Sequence, residues 1–254
     1  MPLVATAGIV LHAMDYLESS RILRIATRDA GVQSVIAKGA RRPRGGHGSA
    51  LDLFAQGVAQ LSMRAGRDLN TLTAFDVERS RSELAADLGR FTAASAIAEL
   101  MLRFARDDQQ PALYDTLAAA LDAIGAAAPG ETRSAALAGA WSLIAELGFG
   151  PAVDLCASCH ALLDASAAVA FSHPAGGALC ARCAATAPGT RILPPAARDA
   201  LRHWLTGTQP AGSADDAALR AHQRLLREFL HEHLADGRPL RAMETWEHAR
   251  WAGA

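Results

Sequence analysis

Ser80-Arg81-Ser82-Glu83 separates two different patterns of residues. Upstream of it, apolar residues come in short runs of β type: Val4 to Leu11, Arg21 to Thr27, Val32 to Lys38, Leu53 to Met63 and Asn70 to Val77. Downstream, Leu84, Leu88, Phe91, Ser95, Ala98 and Leu102 follow helical spacing, and the Ser-x-x-Glu quartet reads as the capping box that starts their helix. Turn residues punctuate the first half at Asp29-Ala30-Gly31, at Ala65-Gly66-Arg67-Asp68 and along Gly39 to Gly48, a stretch too rich in Gly, Arg and Pro for a strand interior. Five such strands in about 75 residues predict a small barrel, with a domain boundary near residue 80.

The remainder, 81–254, reads as helical. Helices are expected over 111–126 and 132–147, the second carrying Leu137, Trp141, Ile144 and Leu147 on one face and stopping at Gly148. Pro194-Pro195 starts another, and Ser213 to Asp216 caps one that ends near Gly237. Between them, at 148–193, the helical period lapses, and all four cysteines fall in that gap.

The chain has 254 residues, 50% of them hydrophobic and 20% charged, enough to bury a core. Its net charge of -1 excludes a uniformly basic nucleic-acid binder, yet residues 1–81 carry +4 and the rest -5. Lys38 is the only lysine and follows Ala37, so no GxxxxGK[ST] phosphate loop exists. The most apolar helical stretch, Ala135 to Ala145, falls short of the ~18 residues needed to span a membrane. Met1 to Met14 lacks the basic start and small-residue exit of a secretory signal, so a cytoplasmic protein with reduced cysteines is expected.

Cys156-Ala-Ser-Cys159 and Cys180-Ala-Arg-Cys183 form C-x2-C-x20-C-x2-C. In that spacing each pair turns through a knuckle and presents two thiolates to one tetrahedral ion, so Cys156, Cys159, Cys180 and Cys183 are the expected ligands of one structural zinc. Ala168 to Ser172 can extend and Ala175-Gly176-Gly177 can turn, giving a zinc-ribbon-like hairpin that the metal folds. Four protein ligands leave no open position for water, which argues against catalysis by the metal. Cys156-x-x-Cys159-His160 also matches a haem attachment motif, but that needs export and leaves the second pair unused. A zinc deaminase needs H-x-E, and no histidine here has glutamate two positions on. Neither a GxSxG elbow nor a carboxylate cluster is present to suggest a hydrolase.

Lys38, Arg41, Arg42 and Arg44 place four cations in seven residues at the exit of an expected strand. Such a loop can hold phosphates, with Arg64, Arg67 and Arg21 extending the patch, or it can simply be solvated. Arg220, Arg224 and Arg227 share one helix face and offer a second anionic contact, although Glu228 and Glu232 lie nearby. Tyr16, Phe54 and Phe75 are the aromatics before residue 80, and Phe54 and Phe75 read as core.

Taken in order, these residues resemble the RecO family of bacterial recombination mediators. The likeness lies in Gly8 to Leu11 leading to Tyr16-Leu17-Glu18-Ser19-Ser20, in Val35 to Arg42, and in Glu99-Leu100. It continues through Glu146-Leu147-Gly148-Phe149-Gly150-Pro151 into the first cysteine pair, and through Phe171-Ser172 and Gly176-Gly177 before the second. The chain departs from that pattern at His160, where glycine is expected. The resemblance implies an N-terminal OB-fold over 1–80 and a helical domain over 81–254 with the zinc module embedded at about 148–193. It also implies a non-enzymatic protein that binds single- and double-stranded DNA through Lys38, Arg41 and Arg42 and anneals complementary strands. Its implied partners are RecR and the acidic tail of single-strand binding protein, with RecA loaded as the outcome. Arg103 and Arg133 are candidates to hold that tail. The alternative from another class is an interaction scaffold whose basic loop does not bind DNA.

Overall fold

The computed structural model describes residues 3–40, 51–63, 66, 68–212, 215–234 and 238–248. Strands β1 (Leu3–Tyr16), β2 (Ser20–Thr27), β3 (Gly31–Ala37), β4 (Gln56–Ser62) and β5 (Asn70–Arg79) close into a barrel in the order β1-β2-β3-β5-β4. All pairings are antiparallel except β3 with β5, where Val35 meets Asn70 and Ala37 meets Leu72. That closure gives an OB-like barrel. Val10, Leu23, Ile25, Val35, Leu61, Leu72 and Phe75 fill its interior. The fourth strand begins at Gln56 rather than Leu53, because Phe54 turns into left-handed backbone (φ 68°).

Helices follow as α1 (Ser82–Ala85), α2 (Leu88–Phe104), α3 (Pro111–Ala126) and α4 (Thr132–Glu146). The Ser80–Glu83 quartet does not cap a long helix. Arg81 stands at the start of α1 with φ 50° and no side-chain cap, and α1 stops after one turn. The long helix starts anew at Asp87, whose carboxylate accepts from the Arg90 amide at 2.8 Å. Leu88, assigned to the apolar face by spacing, is exposed as a result. α4 is likewise not amphipathic: residues around its whole circumference, from Thr132 to Ile144, are buried, so it is the central helix of the domain.

Between α4 and the next long helix the chain forms β6 (Val169–Ser172), β7 (Gly177–Leu179), the single turn α5 (Ala181–Ala184) and β8 (Arg191–Leu193), the sheet running β7-β6-β8. Then come α6 (Pro195–Leu205), α7 (Asp216–His233) and α8 (Arg241–His248). Asp215 caps α7 by accepting from the Ala218 amide. The sequence carries no start signal for α8; the Glu99 carboxylate of α2 supplies one, accepting from the amides of Ala242 at 2.9 Å and Met243 at 3.0 Å.

One core runs through all the helices and into the cysteine segment, taking in Val153, Leu163, Val169, Phe171, Leu179 and Leu193. It also reaches the barrel, whose Ile9, Leu11, Ala26, Val32 and Phe54 pack on the helices, with Phe54 edge-on to Phe91 at 6.0 Å. Gly31 is needed at this joint: its φ is 65°, and a Cβ there would lie 2.4 Å from the Arg106 carbonyl.

His222 lies within that core on α7, edge-on to Trp204 with ring centroids 4.6 Å apart. Its Nδ1 has no hydrogen-bond partner among the described residues, and burial pushes the imidazole down to about 4 from 6.5. The unfolded chain therefore binds a proton between pH 6.5 and 4 that the folded chain refuses, so this histidine's share of stability is intact above pH 6.5 and is lost as pH falls toward 4. Urea titration should show His222→Leu losing about 2 kcal/mol less than the parent on going from about pH 7.5 to 5. Equal acid sensitivity in the two proteins would contradict a neutral buried imidazole.

Candidate functional site

The two cysteine pairs come together as their spacing requires. The ligand atoms of Cys156, Cys159, Cys180 and Cys183 all lie within 4.8 Å of one another, and no other such cluster occurs among the described residues. Each knuckle is built by backbone. The His160 amide donates to the Cys156 carbonyl at 2.8 Å, and the Cys180 amide donates to the Cys156 sulfur at 3.4 Å. The knuckle demands left-handed backbone where the glycine is expected, and His160 adopts it at φ 58°. The β6–β7 hairpin returns the chain from the first pair to the second, its turn closed by the Gly176 amide on the His173 carbonyl.

The donor set fits one metal ion. The sulfurs of Cys159 and Cys180 are 3.8 Å apart. That equals the edge of a tetrahedron with metal–sulfur bonds of about 2.3 Å, about 3.8 Å. Burial pushes the Cys156 thiol up, but the amides of Cys180, Cys159 and Ser158 outweigh it and bring it down to about 6. Hydrogen bonding to Cys180 and Cys159 holds the Cys183 proton, raising that thiol to about 12. Four sulfurs this close cannot all be anionic without a cation among them, and a divalent ion removes the conflict.

The cluster is anchored in the helical domain by Arg198 of α6, whose side chain is fully buried. Its Nε donates to the Val153 carbonyl at 2.7 Å and its Nη atoms to the carbonyls of Asp164 and Leu163. On the other side, His173 Nε2 meets the Leu225 carbonyl at 3.3 Å and His233 Nε2 the His173 carbonyl at 2.6 Å. Sequence spacing gives no sign of either anchor, because all three side chains act on backbone groups distant in the chain.

On the barrel, Lys38 is exposed and follows Ala37, which pairs with Arg21. Gly39 turns the chain at φ 72°. Arg41, Arg42, Arg44, Arg64 and Arg67 lie outside the described residues. Arg21 is held by Asp15 at 3.2 Å. Of the three arginines on α7, Arg220 pairs with Asp216 at 2.7 Å and Arg227 with Glu247 at 3.0 Å. These pairings reduce the free positive charge on that face. Arg103 donates to the carbonyls of Arg238 and Pro239, and the largely buried Arg133 pairs with Asp216.

An OB-like barrel joined to a helical body that carries a four-cysteine knuckle pair compatible with one structural metal defines the class of protein. The family described as Recombination protein O N terminal matches residues 1–81, and Recombination protein O C terminal matches residues 85–242. The DNA repair protein RecO of Anaeromyxobacter sp. (strain K) is 37% identical over 247 residues, 95% of each chain. That of Rubrobacter xylanophilus is 32% identical over 235 residues, 92% of each, and that of Gloeobacter violaceus 33% over 177 residues, 69% of this chain and 67% of its own. The chain belongs to the RecO family of DNA repair proteins. Membership supports a role in recombination and repair. Among the described residues no helix is long and apolar enough to cross a membrane.

Proposed function

We propose that this protein is a non-enzymatic recombination mediator, working in the cytoplasm, that binds single- and double-stranded DNA without regard to sequence and anneals complementary strands. With RecR it helps load RecA onto DNA coated by single-strand binding protein, whose acidic tail it contacts. Family membership across both halves of the chain carries this reading, together with the basic segment that leaves the barrel at Lys38. Lys38, Arg41, Arg42 and Arg44 hold phosphates, and Arg64 and Arg67 extend that set. Arg220, Arg224 and Arg227 are a weaker second contact because two of them are already ion-paired. Cys156, Cys159, Cys180 and Cys183 hold one zinc ion, which supplies folding energy and leaves no coordination position for a reacting water.

Fluorescence-monitored annealing of two complementary oligonucleotides tests the reading. The protein is expected to accelerate annealing at about 50 mM salt and much less at about 200 mM, because each neutralised phosphate releases counterions. Replacing Lys38, Arg41, Arg42 and Arg44 with alanine should lower the salt slope of single-strand binding by about 3, at ~0.7 per phosphate contact. Unchanged annealing in that variant would favour the scaffold reading, in which the barrel and knuckle support a protein-binding surface.

A further inference from the structure

A structural thiol is inert when burial keeps oxidants from its sulfur. The cysteine cluster has that protection on one side only: Cys156 is buried, whereas Cys159, Cys180 and Cys183 are each partly open to solvent. Cys183 is fixed inside the single turn α5, but Cys159 lies in the knuckle turn and Cys180 in the extended residue that precedes α5. The two least constrained, accessible ligands are therefore Cys159 and Cys180, one from each knuckle, and their sulfurs stand 3.8 Å apart. A disulfide bond of about 2.05 Å requires them to approach by less than about 2 Å. An accessible thiolate with a second one poised beside it is the arrangement of a redox-sensitive cysteine pair. The exposed Arg182 guanidinium is raised above its ordinary value by the Cys159 sulfur beside it. A cation next to that sulfur favours the thiolate and steadies a departing hydroxide.

We propose that the cluster is a reversible oxidation site, at which a hydroperoxide joins Cys159 to Cys180 as a disulfide and the metal is lost. The proposal rests on the metal-holding reading given above and adds to it a reaction of the ligands themselves. With hydrogen peroxide, the Cys159 thiolate attacks one oxygen, the O–O bond breaks, and Cys159 becomes a sulfenic acid as hydroxide leaves. The Cys180 thiolate then attacks that sulfur, forming the S–S bond and expelling a second hydroxide. Two protons from solvent convert both hydroxides to water, and two electrons have passed from sulfur to oxygen. Cys156 and Cys183 alone cannot complete a tetrahedral site, so the ion dissociates and its folding energy goes with it. The loss reaches the helices, because Phe171 on β6 packs against Phe229 of α7. A thiol reductant reopens the disulfide by exchange, and the four ligands become available to the metal again.

The test treats the zinc-loaded, full-length protein with one equivalent of hydrogen peroxide in the presence of a zinc-sensitive dye. One zinc ion per chain should be released, and thiol titration of the acid-quenched, denatured chain should fall from four to two. Peptide mapping without reduction should join the Cys159 peptide to the Cys180 peptide. The near-ultraviolet signal of the buried Trp141 and Trp204 should fall with metal release and return on adding dithiothreitol and zinc. Zinc retained under a several-fold excess of peroxide would overturn the proposal while leaving the metal site in place. So would release accompanied by sulfinic acid, or by disulfides within each C-x2-C pair and none between Cys159 and Cys180. A folded chain that neither contains nor takes up zinc would overturn the metal reading and this proposal with it.

Discussion

Stripping the metal from the cysteine cluster is expected to unfold residues 148–193 and to destabilise the helical domain along with them. Structural zinc contributes on the order of 10–16 kcal/mol of apparent binding energy, which rivals or exceeds the roughly 5–15 kcal/mol stability of a whole domain. The loss spreads because the module is not a separate appendage. Val169, Phe171 and Leu179 lie in the core shared by the helices, and Phe171 packs against Phe229 of α7 with ring centroids 6.3 Å apart. Four sulfurs held within 4.8 Å without a cation also repel as soon as they ionise. Elemental analysis should return one metal ion per chain. Chelation should abolish the near-ultraviolet signal of Trp141 and Trp204, both fully buried in that core. Cys156→Ser should behave like the chelated protein, because Cys156 is the one buried ligand and receives the Cys180 amide. A chelated sample that unfolds at the same urea concentration as the loaded one would refute a structural role for the metal.

Arg81→Met should cost about 3–5 kcal/mol, the range for removing one partner from a buried charged network. The Arg81 side chain is fully buried where the barrel meets the helices. It donates through Nε to Asp122 at 2.7 Å, through Nη1 to the Phe54 carbonyl at 3.0 Å and through Nη2 to Gln56 Oε1 at 2.5 Å. Methionine fills much of the volume and satisfies none of the three acceptors, so the Phe54 carbonyl and the Gln56 amide are left unpaired. Asp122→Asn should cost less, because that side chain is 34% exposed and the asparagine amide oxygen can still accept from Arg81 Nε. Equilibrium unfolding in urea measures both, and a loss under about 1 kcal/mol for Arg81→Met would show that the network adds nothing to the joint.

The features legible in the chain are those written within a few residues of one another. Two C-x2-C pairs specify the cysteine cluster because a knuckle is a local turn. Asp29 to Gly31 specifies a reversal, and Pro195 and Asp215 specify helix starts, since each acts on its own backbone. The quartet at Ser80 marks the change of pattern correctly yet misplaces the cap. Arg81 is drawn into the left-handed region where its side chain reaches three barrel and helix acceptors, and Asp87 starts the long helix instead. A residue's local preference yields when a distant network outweighs it.

By itself the sequence determined a five-stranded barrel, a helical body, a four-cysteine cluster within the helical half, and a resemblance to RecO strong enough to name the family. Only the tertiary structure decided that α8 exists, because its N-terminus is capped by Glu99, 143 residues upstream of Ala242. The fold alone also made α4 central, brought β8 onto β6 and tied the cysteine module to α6 through Arg198. Each of these depends on which strand or helix lies alongside which, and that choice is made by burying surface shared between segments far apart in the chain. Spacing within one segment carries no record of it.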